Sequence, residues 1–490
     1  MFGVAEVYSE IGDLIITLTF IIVIIIILTD KLNRAIAAIS GAIVTYFTLI
    51  FIKNANFQLI VDLLVGSNSD GFVNIHSLIL IVGMMFIIQI SDESGVFQFL
   101  SVYAIKLSRG NPIALLSIFC FVSVFCSAIL NPILTVMILI PLTITISRIL
   151  NSNPTPYILT QAVLVNIGGS IFSISSIPNI LIVTSTGITF NEFFLNVGIF
   201  SIVVVFCTIP FFIFLYKHEL IAADEELIQT LNEFDIWFVV ASKKLMFSSM
   251  IALGTLMISL VIIPPDILQP DIIAISIAMI LTIISSFDNL EPGDLMKKFD
   301  YELLFYLLGI FLIAGGLEYI GIIDTLGDYL RSLSGSFSPL LQILALLWIS
   351  AVLSSTIDNI PITKVLIPLV RSFAPPGADR DLLHKYYFGL AIGSNWGDNL
   401  TPLGDNIIVA NLAKKHKRPI SMFDFWRLGF TTTIYQLFLA SLYFILVFDN
   451  FLGMVLIGTT ILLVIVIFIA SKKINWIDMA FIKFRRLIVG

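Results

Sequence analysis

Long apolar runs, separated by short polar stretches, follow one another along nearly the whole chain. Many of the runs reach about seventeen residues or more, enough for a helix rising about 1.5 Å per residue to cross the hydrocarbon layer of a bilayer. The pattern predicts an all-α polytopic membrane protein. The apolar segments lie at 11–29, 34–52, 76–91, 111–149, 157–190, 195–216, 246–264, 271–287, 302–317, 338–373, 385–412, 429–448 and 451–470.

Two of the longest segments, 111–149 and 338–373, carry small polar residues and proline near the middle. The interrupting sequences are SAILNP at 127–132 and STIDNIP at 355–361. Proline lacks a backbone donor and disrupts a helix, so each segment is predicted to turn back as a re-entrant helical hairpin. A hairpin enters and leaves the membrane on one side, which is also what the distribution of Lys and Arg over the loops requires.

Two further segments, 157–190 and 385–412, are predicted to be broken helices. Their interruptions read NIGGSIFSISSIPN at 166–179 and NWGDNLTPLGDN at 395–406. Backbone that is not helical at membrane depth must be buried in protein or line a cavity. The residues assigned to the hinges and unwound stretches are Gly168, Gly169, Pro178, Gly397, Pro402 and Gly404.

The two halves of the chain align, and by their loop charges they cross the membrane in opposite senses. An inverted repeat with one hairpin and one broken helix per half is typical of secondary transporters. The predicted architecture has about 11 full crossings plus the two hairpins. The matched residues include Gly83 with Gly309, Gly95 with Gly321, Ser127 with Ser355, Asn131 with Asn359, and Asn166 with Asn395.

Basic residues in the loops predict the orientation, because short cytoplasmic loops are enriched in Lys and Arg. They place the N-terminus outside and the C-terminus in the cytoplasm of a prokaryotic cell, with the protein integral to the plasma membrane. The predicted units are an N-terminal repeat at 1–216, a cytoplasmic linker at 217–245, a C-terminal repeat at 246–448, and an extra transmembrane helix with a basic tail at 449–490.

Composition excludes several classes of protein. Charged residues make up 12% of the 490 residues and hydrophobic residues 58%, whereas a soluble globular domain carries about 25% charged residues. A cytosolic enzyme or a nucleic-acid binder is therefore excluded. The cysteines and histidines show no disulfide or metal-ligand spacing, and the sequence contains no metalloprotease or nucleotide-binding motif. We expect no enzymatic activity, no metal centre, and no cofactor beyond a bound Na⁺.

The hairpin and break sequences resemble those of the ion-transporter superfamily that holds arsenite permeases of the ArsB type, NhaD-type sodium–proton antiporters and the melanosomal P protein. The similarity rests on SSTIDNIPITKVLIPL at 354–369, NWGDNLTPLGDNIIVANLAKK at 395–415, and their counterparts at 126–146 and 166–182. It implies a homodimer in which a scaffold domain holds the dimer and a transport domain slides as an elevator. Substrate would bind between the hairpin tips and the helix breaks.

Charged side chains inside membrane segments are rare and mark functional positions. Asp358 at the second hairpin tip and Asp398 in the second break are candidate coupling groups. Lys364, one turn past the tip, either pairs with Asp358, replaces a coupling cation or snorkels to the interface. Buried amides fit cations and anions equally, while Ser and Thr more often bond to the backbone. The candidate ion-binding residues are Asp358, Asn359, Asp398, Asn399, Thr401, Asp405, Asn406, Asn131, Asn166, Asn179, Ser127, Ser355 and Thr363.

Three carboxylates, Asp358, Asp398 and Asp405, crowd the second half of this site and favour a cation. The sequence therefore predicts a secondary active transporter that exchanges Na⁺ for protons by alternating access. The alternative is an anion or oxyanion permease of the arsenite or dicarboxylate type, because helix N-termini and amides also bind anions. The absence of arginine from the site regions argues against a dicarboxylate. The expected partners are a small ion, the lipid bilayer and a second copy of the chain.

Overall fold

The computed structural model of the protein describes residues 2–29, 31–68, 71–221, 226, 233, 235–288, 292–334, 337–375, 377–402, 406–471 and 475–489. These residues form helices, and no strand occurs among them. We number the longer helices in chain order. Their bounds are α1 Phe2–Leu28, α2 Arg34–Ile52, α3 Phe57–Val65, α4 Val73–Ser94, α5 Val96–Lys106, α6 Pro112–Ile129, α7 Pro132–Ile149, α8 Thr155–Gly168, α9 Ile177–Thr186, α10 Phe190–Tyr216, α11 Lys243–Ile262, α12 Pro270–Ser286, α13 Pro292–Lys297, α14 Tyr301–Tyr319, α15 Ile322–Ser334, α16 Pro339–Thr356, α17 Asn359–Phe373, α18 Arg380–Trp396, α19 Asn406–Lys415, α20 Met422–Phe448, α21 Asn450–Ser471 and α22 Asn475–Val489.

Within the described residues, ten helices are long and apolar enough to cross a membrane, judged by length and composition. Seven of them run unbroken outside the hairpins, namely α1, α2, α4, α10, α11, α14 and α20. The remaining predicted crossings correspond to helix α12, helix α21, whose apolar part is Asn450–Val464, and the broken pairs α8–α9 and α18–α19. The predicted all-α architecture, with two hairpins and two broken helices, is confirmed.

Two crossed helix pairs form the first of two bundles: α2 packs along α14, and α4 packs along α12. The helices approach closely because a glycine lies at each crossing. A Cβ atom on Gly309 would lie 2.7 Å from the carbonyl carbon of Ala38, and one on Gly83 would lie 2.9 Å from that of Ala274. The two crossings are therefore equivalent in the inverted repeat. Together with α1 and α11, which flank them, these four helices are called the paired bundle.

The two hairpins and the two broken helices form the second bundle, called the hairpin bundle. Hairpin 1 consists of α6 and α7, and hairpin 2 consists of α16 and α17. Helix α6 packs against α8, and α16 packs against α18 in the same way. A serine closes each contact, since Ser127 Oγ donates to the Val165 carbonyl and Ser354 Oγ donates to the Ser394 carbonyl. Helices α10 and α20 complete this bundle.

These serine contacts correct one detail of the internal alignment. Ser127 is the counterpart of Ser354 and not of Ser355, because each donates to the carbonyl just before the matched residues Asn166 and Asn395. The sequence alignment is one residue off within the hairpins because two serines stand side by side in the second half. Only packing distinguishes the serine that faces the broken helix from its neighbour.

The paired bundle has two chemically different ends. Helices α2 and α14 begin at one end, where Arg34 Nε lies 3.8 Å from Glu302 Oε1. Helices α4 and α12 begin at the other, where His76 Nδ1 lies 2.9 Å from Asp271 Oδ2. We call these the Arg34 end and the Asp271 end. Both hairpin tips lie toward the Arg34 end, because they share a cavity with the residues that precede α14.

The predicted linker and tail are seen only in part. Part of the linker at 217–245 lies outside the described residues, which include a short 3-10 turn, Ile236–Val239, before α11. Helices α21 and α22 occupy the segment predicted as an extra transmembrane helix and tail, and both pack against α20. The boundaries of the predicted units and the sidedness of the termini stay predictions.

Candidate ion-binding site

Each hairpin tip ends on a polar side chain that caps the second helix of the hairpin. Asn131 accepts a hydrogen bond from the Leu134 amide at 2.8 Å, and Asp358 accepts one from the Ile360 amide at 3.0 Å. Such caps satisfy backbone donors at a helix start. Asn131 is therefore the counterpart of Asp358 and not, as the sequence alignment has it, of Asn359. The two halves place a neutral amide and a carboxylate at equivalent tips.

Asp358 is paired with an arginine from the paired bundle. Arg34 Nη1 lies 3.5 Å from Asp358 Oδ2, and the Asp358 side chain is 13% exposed. The same arginine approaches Glu302 and lies 5.6 Å from the centre of the Tyr306 ring. The expectation that no arginine enters the site is therefore wrong. The positive charge at this tip comes from α2, far from either hairpin in the sequence.

Lys364, which could have paired with Asp358, contacts the paired bundle instead. Its Nζ donates to Asn74 Oδ1 at 2.7 Å and lies 4.8 Å from the centre of the Phe311 ring. A cation over an aromatic face is attracted by the ring quadrupole. Hairpin 2 is thus tied to α4 and α14, and the hypothesis that Lys364 pairs with Asp358 is wrong.

The two helix breaks are bonded to each other at the centre of the hairpin bundle. Asn166 Nδ2 donates to Asn399 Oδ1 at 2.9 Å and approaches Asp398 Oδ2 at 3.4 Å. Asn395 Nδ2 donates to Asn179 Oδ1 at 2.7 Å. All five side chains are more than nine-tenths buried. Asp398 therefore lies where an ionised carboxylate depends on hydrogen bonds or a bound charge.

One asparagine holds each break in its unwound shape, and the two asparagines act in the same way. Asn179 Nδ2 donates to the Gly169 carbonyl at 2.9 Å, and Asn406 Nδ2 donates to the Asp398 carbonyl at 2.9 Å. Each amide also reaches the carbonyl three residues further along the chain. Inside a helix these carbonyls would bond to backbone amides. The amide nitrogens of both predicted ligands are therefore bonded to backbone.

The hydroxyl groups of three predicted ion-binding residues also bond to backbone. Ser355 Oγ donates to the Val352 carbonyl at 2.7 Å, Thr363 Oγ1 donates to the Asn359 carbonyl at 2.7 Å, and Thr401 Oγ1 donates to the Ser355 carbonyl. The last of these bonds attaches the second break to the tip of hairpin 2. These serines and threonines have the backbone role that was predicted as the more common one.

Gly168 and Gly397 allow each broken helix to touch its hairpin. A Cβ atom on Gly168 would lie 2.7 Å from the Val124 carbonyl oxygen, and one on Gly397 would lie 2.3 Å from the Ala351 carbonyl oxygen. Real Cβ atoms do not come so close to backbone oxygens. Close approach, rather than an unusual dihedral angle, is the reason for glycine at both positions.

The other predicted hinge residues lie in or beside the breaks. Gly169 follows α8 directly, Pro178 lies in the first turn of α9, and Pro402 belongs to the second break. Gly404 and Asp405 lie outside the described residues. The predicted ion-binding role of Asp405 therefore stays a prediction.

A cavity of about 330 Å³ lies between the two bundles near the Arg34 end. Both hairpin tips reach it, through Asn131 and Asp358, and the first break reaches it through Ser176. Arg34 of α2 also lines it, together with Lys298 and Asp300 between α13 and α14. None of the described residues of the second break lines this cavity, so the structure brings together three of the four elements that the family resemblance implied.

The N-terminus of α9 is the part of the cavity wall with unused hydrogen-bonding capacity. Ser176 holds the N-cap position, but its side chain makes no capping bond to α9. Its Oγ is buried and has no hydrogen-bond partner among the described residues. A helix N-terminus has free N–H groups and partial positive charge. At this wall the site can hold an anion, whereas Asn131 and Asp358 already cap the helix starts at the tips.

A second cavity, of about 370 Å³, lies on the other side of the hairpin 2 tip. It is lined by Lys31, Glu302 and Asn411, and also by Arg34 and Asp358. Because Arg34 and Asp358 line both cavities, their ion pair stands between the two spaces. This arrangement suits a contact that forms in one position of hairpin 2 and breaks in another.

A family profile described as a citrate transporter (CitMHS) matches residues 24–393, well over half of the chain. The chain belongs to the citrate transporter family. Among its relatives in that wider superfamily is the human P protein, 23% identical over 73% of this chain and 52% of that protein. The superfamily that the hairpin and break motifs resemble is therefore confirmed, and so is the prediction that the chain is a transporter and not an enzyme.

Bacterial proteins resemble this citrate transporter family member over nearly their whole length. An uncharacterized transporter of Mycobacterium tuberculosis is 25% identical over 86% of this chain and 96% of its own. The 46 kDa membrane protein of Mycobacterium leprae is 26% identical over the same shares. The crystal structure of the YdaH transporter of Alcanivorax borkumensis matches with a TM-score of 0.56 and 14% identity, covering 80% of this chain and 88% of that one. At that identity the likeness concerns the fold.

Arg34 and Ser176 are the site residues that sequence reasoning missed. Arg34 is one of the basic residues at the loops, which predict orientation alone, and its contact with Asp358 spans 324 positions of the chain. Ser176 stood among several small polar residues of the first break, with nothing to separate it from Ser175. A clearer signal for Ser176 is its position two residues before Pro178. Proline favours the first turn of a helix, so it marks Ser176 as a candidate N-cap.

Proposed function

We propose that this protein is a secondary transporter whose cargo is a small anion of the carboxylate or oxyanion class. The observation that carries the proposal is the uncapped N-terminus of α9, where the buried Ser176 hydroxyl has no partner among the described residues and lines the cavity. A bound anion would accept hydrogen bonds from Ser176 and from the backbone amides of Ile177 and Asn179, since Pro178 between them has no N–H.

The charges around the cavity favour this proposal over a simple cation site. Of the acids that pointed to a cation, Asp358 faces Arg34 at 3.5 Å, and Asp398 is buried against Asn166 away from the cavity. The carboxylate at the tip is thus offset by a fixed cation. An arginine beside an anion site also suits carboxylates, because its planar fork can donate two parallel hydrogen bonds.

The family description agrees with a carboxylate cargo, since the matching profile is that of a citrate transporter. A tricarboxylate, a dicarboxylate and arsenite share the acceptor oxygens that the α9 wall would bind. Which of these anions is carried depends on contacts that form when the cavity closes around it. The proposal therefore extends to the class of cargo and names citrate as the first anion to test.

A second candidate function is exchange of Na⁺ for protons, and the observation that favours it is Asp398. This carboxylate is 5% exposed, lies in the second break and receives a hydrogen bond from Asn166 at 3.4 Å. Buried carboxylates in membrane proteins commonly carry protons or bind coupling cations. Both ideas are compatible if Asp398 holds the coupling cation or proton while the anion occupies the cavity.

In this proposal the hairpin bundle is the transport domain and the paired bundle is the scaffold. The bundles touch through polar contacts such as Arg34–Asp358 and Lys364–Asn74, which can exchange partners as one bundle slides along the other. A homodimer built on the scaffold belongs to the same proposal. The prokaryotic plasma membrane, with the N-terminus outside and the C-terminus inside, is the proposed location.

Ligand-induced stabilisation of the purified full-length protein tests the two candidates against each other. A ligand that binds only the folded state raises the unfolding temperature. We expect citrate or another small anion, given as its choline salt, to stabilise the wild type and, at the same concentration, to raise the unfolding temperature less in Ser176→Ala. Stabilisation by sodium chloride alone, unchanged in Ser176→Ala and lost in Asp398→Asn, would instead support the cation exchanger.

A further inference from the structure

The two ends of the paired bundle carry ion pairs at equivalent positions of the inverted repeat. Gly83 and Gly309 lie at matched helix crossings, and the same offset along the chain takes His76 to Glu302. Both residues stand near the start of their helices, α4 and α14. His76 is bonded to Asp271 near the start of α12, and Glu302 approaches Arg34 at the start of α2.

Acid and base are exchanged between the two ends. At the Arg34 end the acid is on α14 and the base on α2, whereas at the Asp271 end the base, His76, is on α4 and the acid on α12. The hairpin tips differ in a matching way. Asp358, an acid, meets Arg34, while the equivalent tip of hairpin 1 carries Asn131, whose amide can donate to a carboxylate.

We propose that Asp271 is the docking residue for the tip of hairpin 1 in the alternate position of the hairpin bundle. In that alternate position Asn131 Nδ2 donates to Asp271. In the position seen in this structure, Arg34 binds Asp358 at the other end. The proposal rests on the transport function proposed above, because it assigns residues to the second state that transport requires. His76 holds the Asp271 carboxylate in place while hairpin 1 is away.

The distance that this exchange requires follows from the helix geometry. The cavity that holds Asn131 is lined by Met85 and Gln89 of α4. His76 lies nine to thirteen residues earlier on the same helix, which at about 1.5 Å per residue is roughly 14–20 Å toward the Asp271 end. A slide of that length along α4 carries the tip of hairpin 1 from the Arg34 end to Asp271.

At the Asp271 end, the slide would replace the contacts that α9 makes in this structure with contacts of the hairpin 1 tip. The first broken helix now occupies the place beside the pair, with Thr184 Oγ1 and Ser77 Oγ 2.6 Å apart. A cavity of about 180 Å³, lined by His76, Asp271 and Thr184, separates the helices around it. The contact between Ser77 and Thr184 is between neutral hydroxyls and is not an ion pair, so α9 can leave and the hairpin 1 tip can enter.

Disulfide trapping in the full-length protein tests this assignment, after Cys120, Cys126 and Cys207 have been replaced by alanine. Two cysteines form a disulfide only when their Cα atoms come within about 7 Å. We expect Asn131→Cys with Asp271→Cys to cross-link in membranes under oxidation. The control pair, Asn131→Cys with Ile272→Cys, places the second thiol on the exposed side of α12 and should remain reduced.

A second pair, Arg34→Cys with Asp358→Cys, is joined by a bifunctional thiol reagent about as long as the arginine side chain that was removed. This pair reports the position of hairpin 2 seen in this structure and shows that the cysteine-free background folds. If that pair cross-links while the Asn131–Asp271 pair gives no more product than its control, the docking assignment is overturned. Uptake assays of the same cysteine-free background separate this outcome from failure of the proposed function. If anions are taken up but the Asn131–Asp271 pair does not cross-link, the proposed transport function stands and only the docking role of Asp271 is wrong.

Charge exchange gives a functional readout that a merely structural role would not produce. Asn131→Asp places a carboxylate against Asp271, and carboxylates in contact repel each other, so transport should fall at least about tenfold. Adding Asp271→Asn restores a donor–acceptor pair and should recover most of the rate. If the double variant is as slow as Asn131→Asp alone, the two side chains do not meet during transport.

Discussion

Arg34 and Asp358 meet across the boundary between the paired bundle and the hairpin bundle, with 3.5 Å between Arg34 Nη1 and Asp358 Oδ2. The pair lines both cavities beside the tip of hairpin 2. It offsets the carboxylate that the sequence marked as the strongest cation ligand. The account of this protein as an anion carrier depends on that relationship and on the nearby Ser176 hydroxyl, which has no hydrogen-bond partner in the part of the chain that the structure describes.

The Arg34–Asp358 pair should show strong coupling in a double-variant comparison. Arg34→Gln leaves Asp358 partly buried without its cation, and Asp358→Asn leaves Arg34 without its acid, so each single variant should slow transport about tenfold. Because the two residues act as one unit, the double variant should be no slower than the worse single variant, with a coupling of about 1 kcal/mol or more in unfolding free energy. Additive losses in uptake and in thermal unfolding would show that they act separately.

Substitution of the two neighbouring serines of the first break should affect different properties, stability for one and anion binding for the other. Ser175 Oγ donates to the buried Ala128 carbonyl of hairpin 1, so Ser175→Ala should lower the unfolding free energy by about 1–3 kcal/mol. Ser176 has no such partner among the described residues, so Ser176→Ala should leave stability unchanged. It should weaken anion binding about fivefold, the loss of one hydrogen bond. Thermal unfolding with and without citrate measures both effects, and equal destabilisation by the two changes would contradict the assignment.

The glycines that touch the hairpins should not tolerate a methyl group. Gly168→Ala and Gly397→Ala would push Cβ against the carbonyl oxygens of Val124 and Ala351, at a cost of about 1–3 kcal/mol each. Gly254 on α11 is a matched control, because nothing lies within 4 Å of a Cβ placed there. Gly254→Ala should be neutral or stabilising by up to about 1 kcal/mol. Detergent melts of the three variants measure this, and the expectation fails if all three shift alike.

Asp398 should govern coupling rather than the capture of the anion. Asp398→Asn keeps the shape of the side chain and its contact with Asn166 but removes the charge that a cation or proton would neutralise. We expect anion exchange across the membrane to continue while uptake against a gradient, driven by Na⁺ or protons, is lost. Asp324→Asn, which changes an exposed carboxylate on α15, is the control. Uphill uptake at the wild-type rate in Asp398→Asn would move the coupling group elsewhere.

Much of the architecture could be predicted from the sequence because membrane segments, prolines and asparagines leave clear signals. Asn166, Asn179 and Asn406 stand out in the sequence because amides are rare in apolar segments, and each makes hydrogen bonds at one of the two breaks. Their bonding partners were not predictable, since these lie on the other break or on backbone that only the unwound shape exposes. The sequence therefore located the asparagines without showing that they hold the breaks.

The partners of charged residues could not be read from the sequence, because they depend on packing between distant segments. Lys364 lies near Asp358 along the chain but extends to Asn74, whereas Arg34 is the first residue of α2 and follows a loop whose basic residues indicate orientation alone. The internal alignment was one residue off because Asp358 and Asn359 both resemble Asn131, and the capping bond decides between them.

Flux into proteoliposomes tests the central claim most directly. Wild-type protein and Arg34→Gln are reconstituted with a pH-sensitive dye inside, and labelled citrate, succinate or arsenite is added outside, with Na⁺, Li⁺ or K⁺ pulses in separate runs. We predict saturable uptake of one of these anions by the wild type and a loss of about tenfold in Arg34→Gln. Internal pH changes after cation pulses alone, with no anion uptake and no effect of Arg34→Gln, would contradict the account.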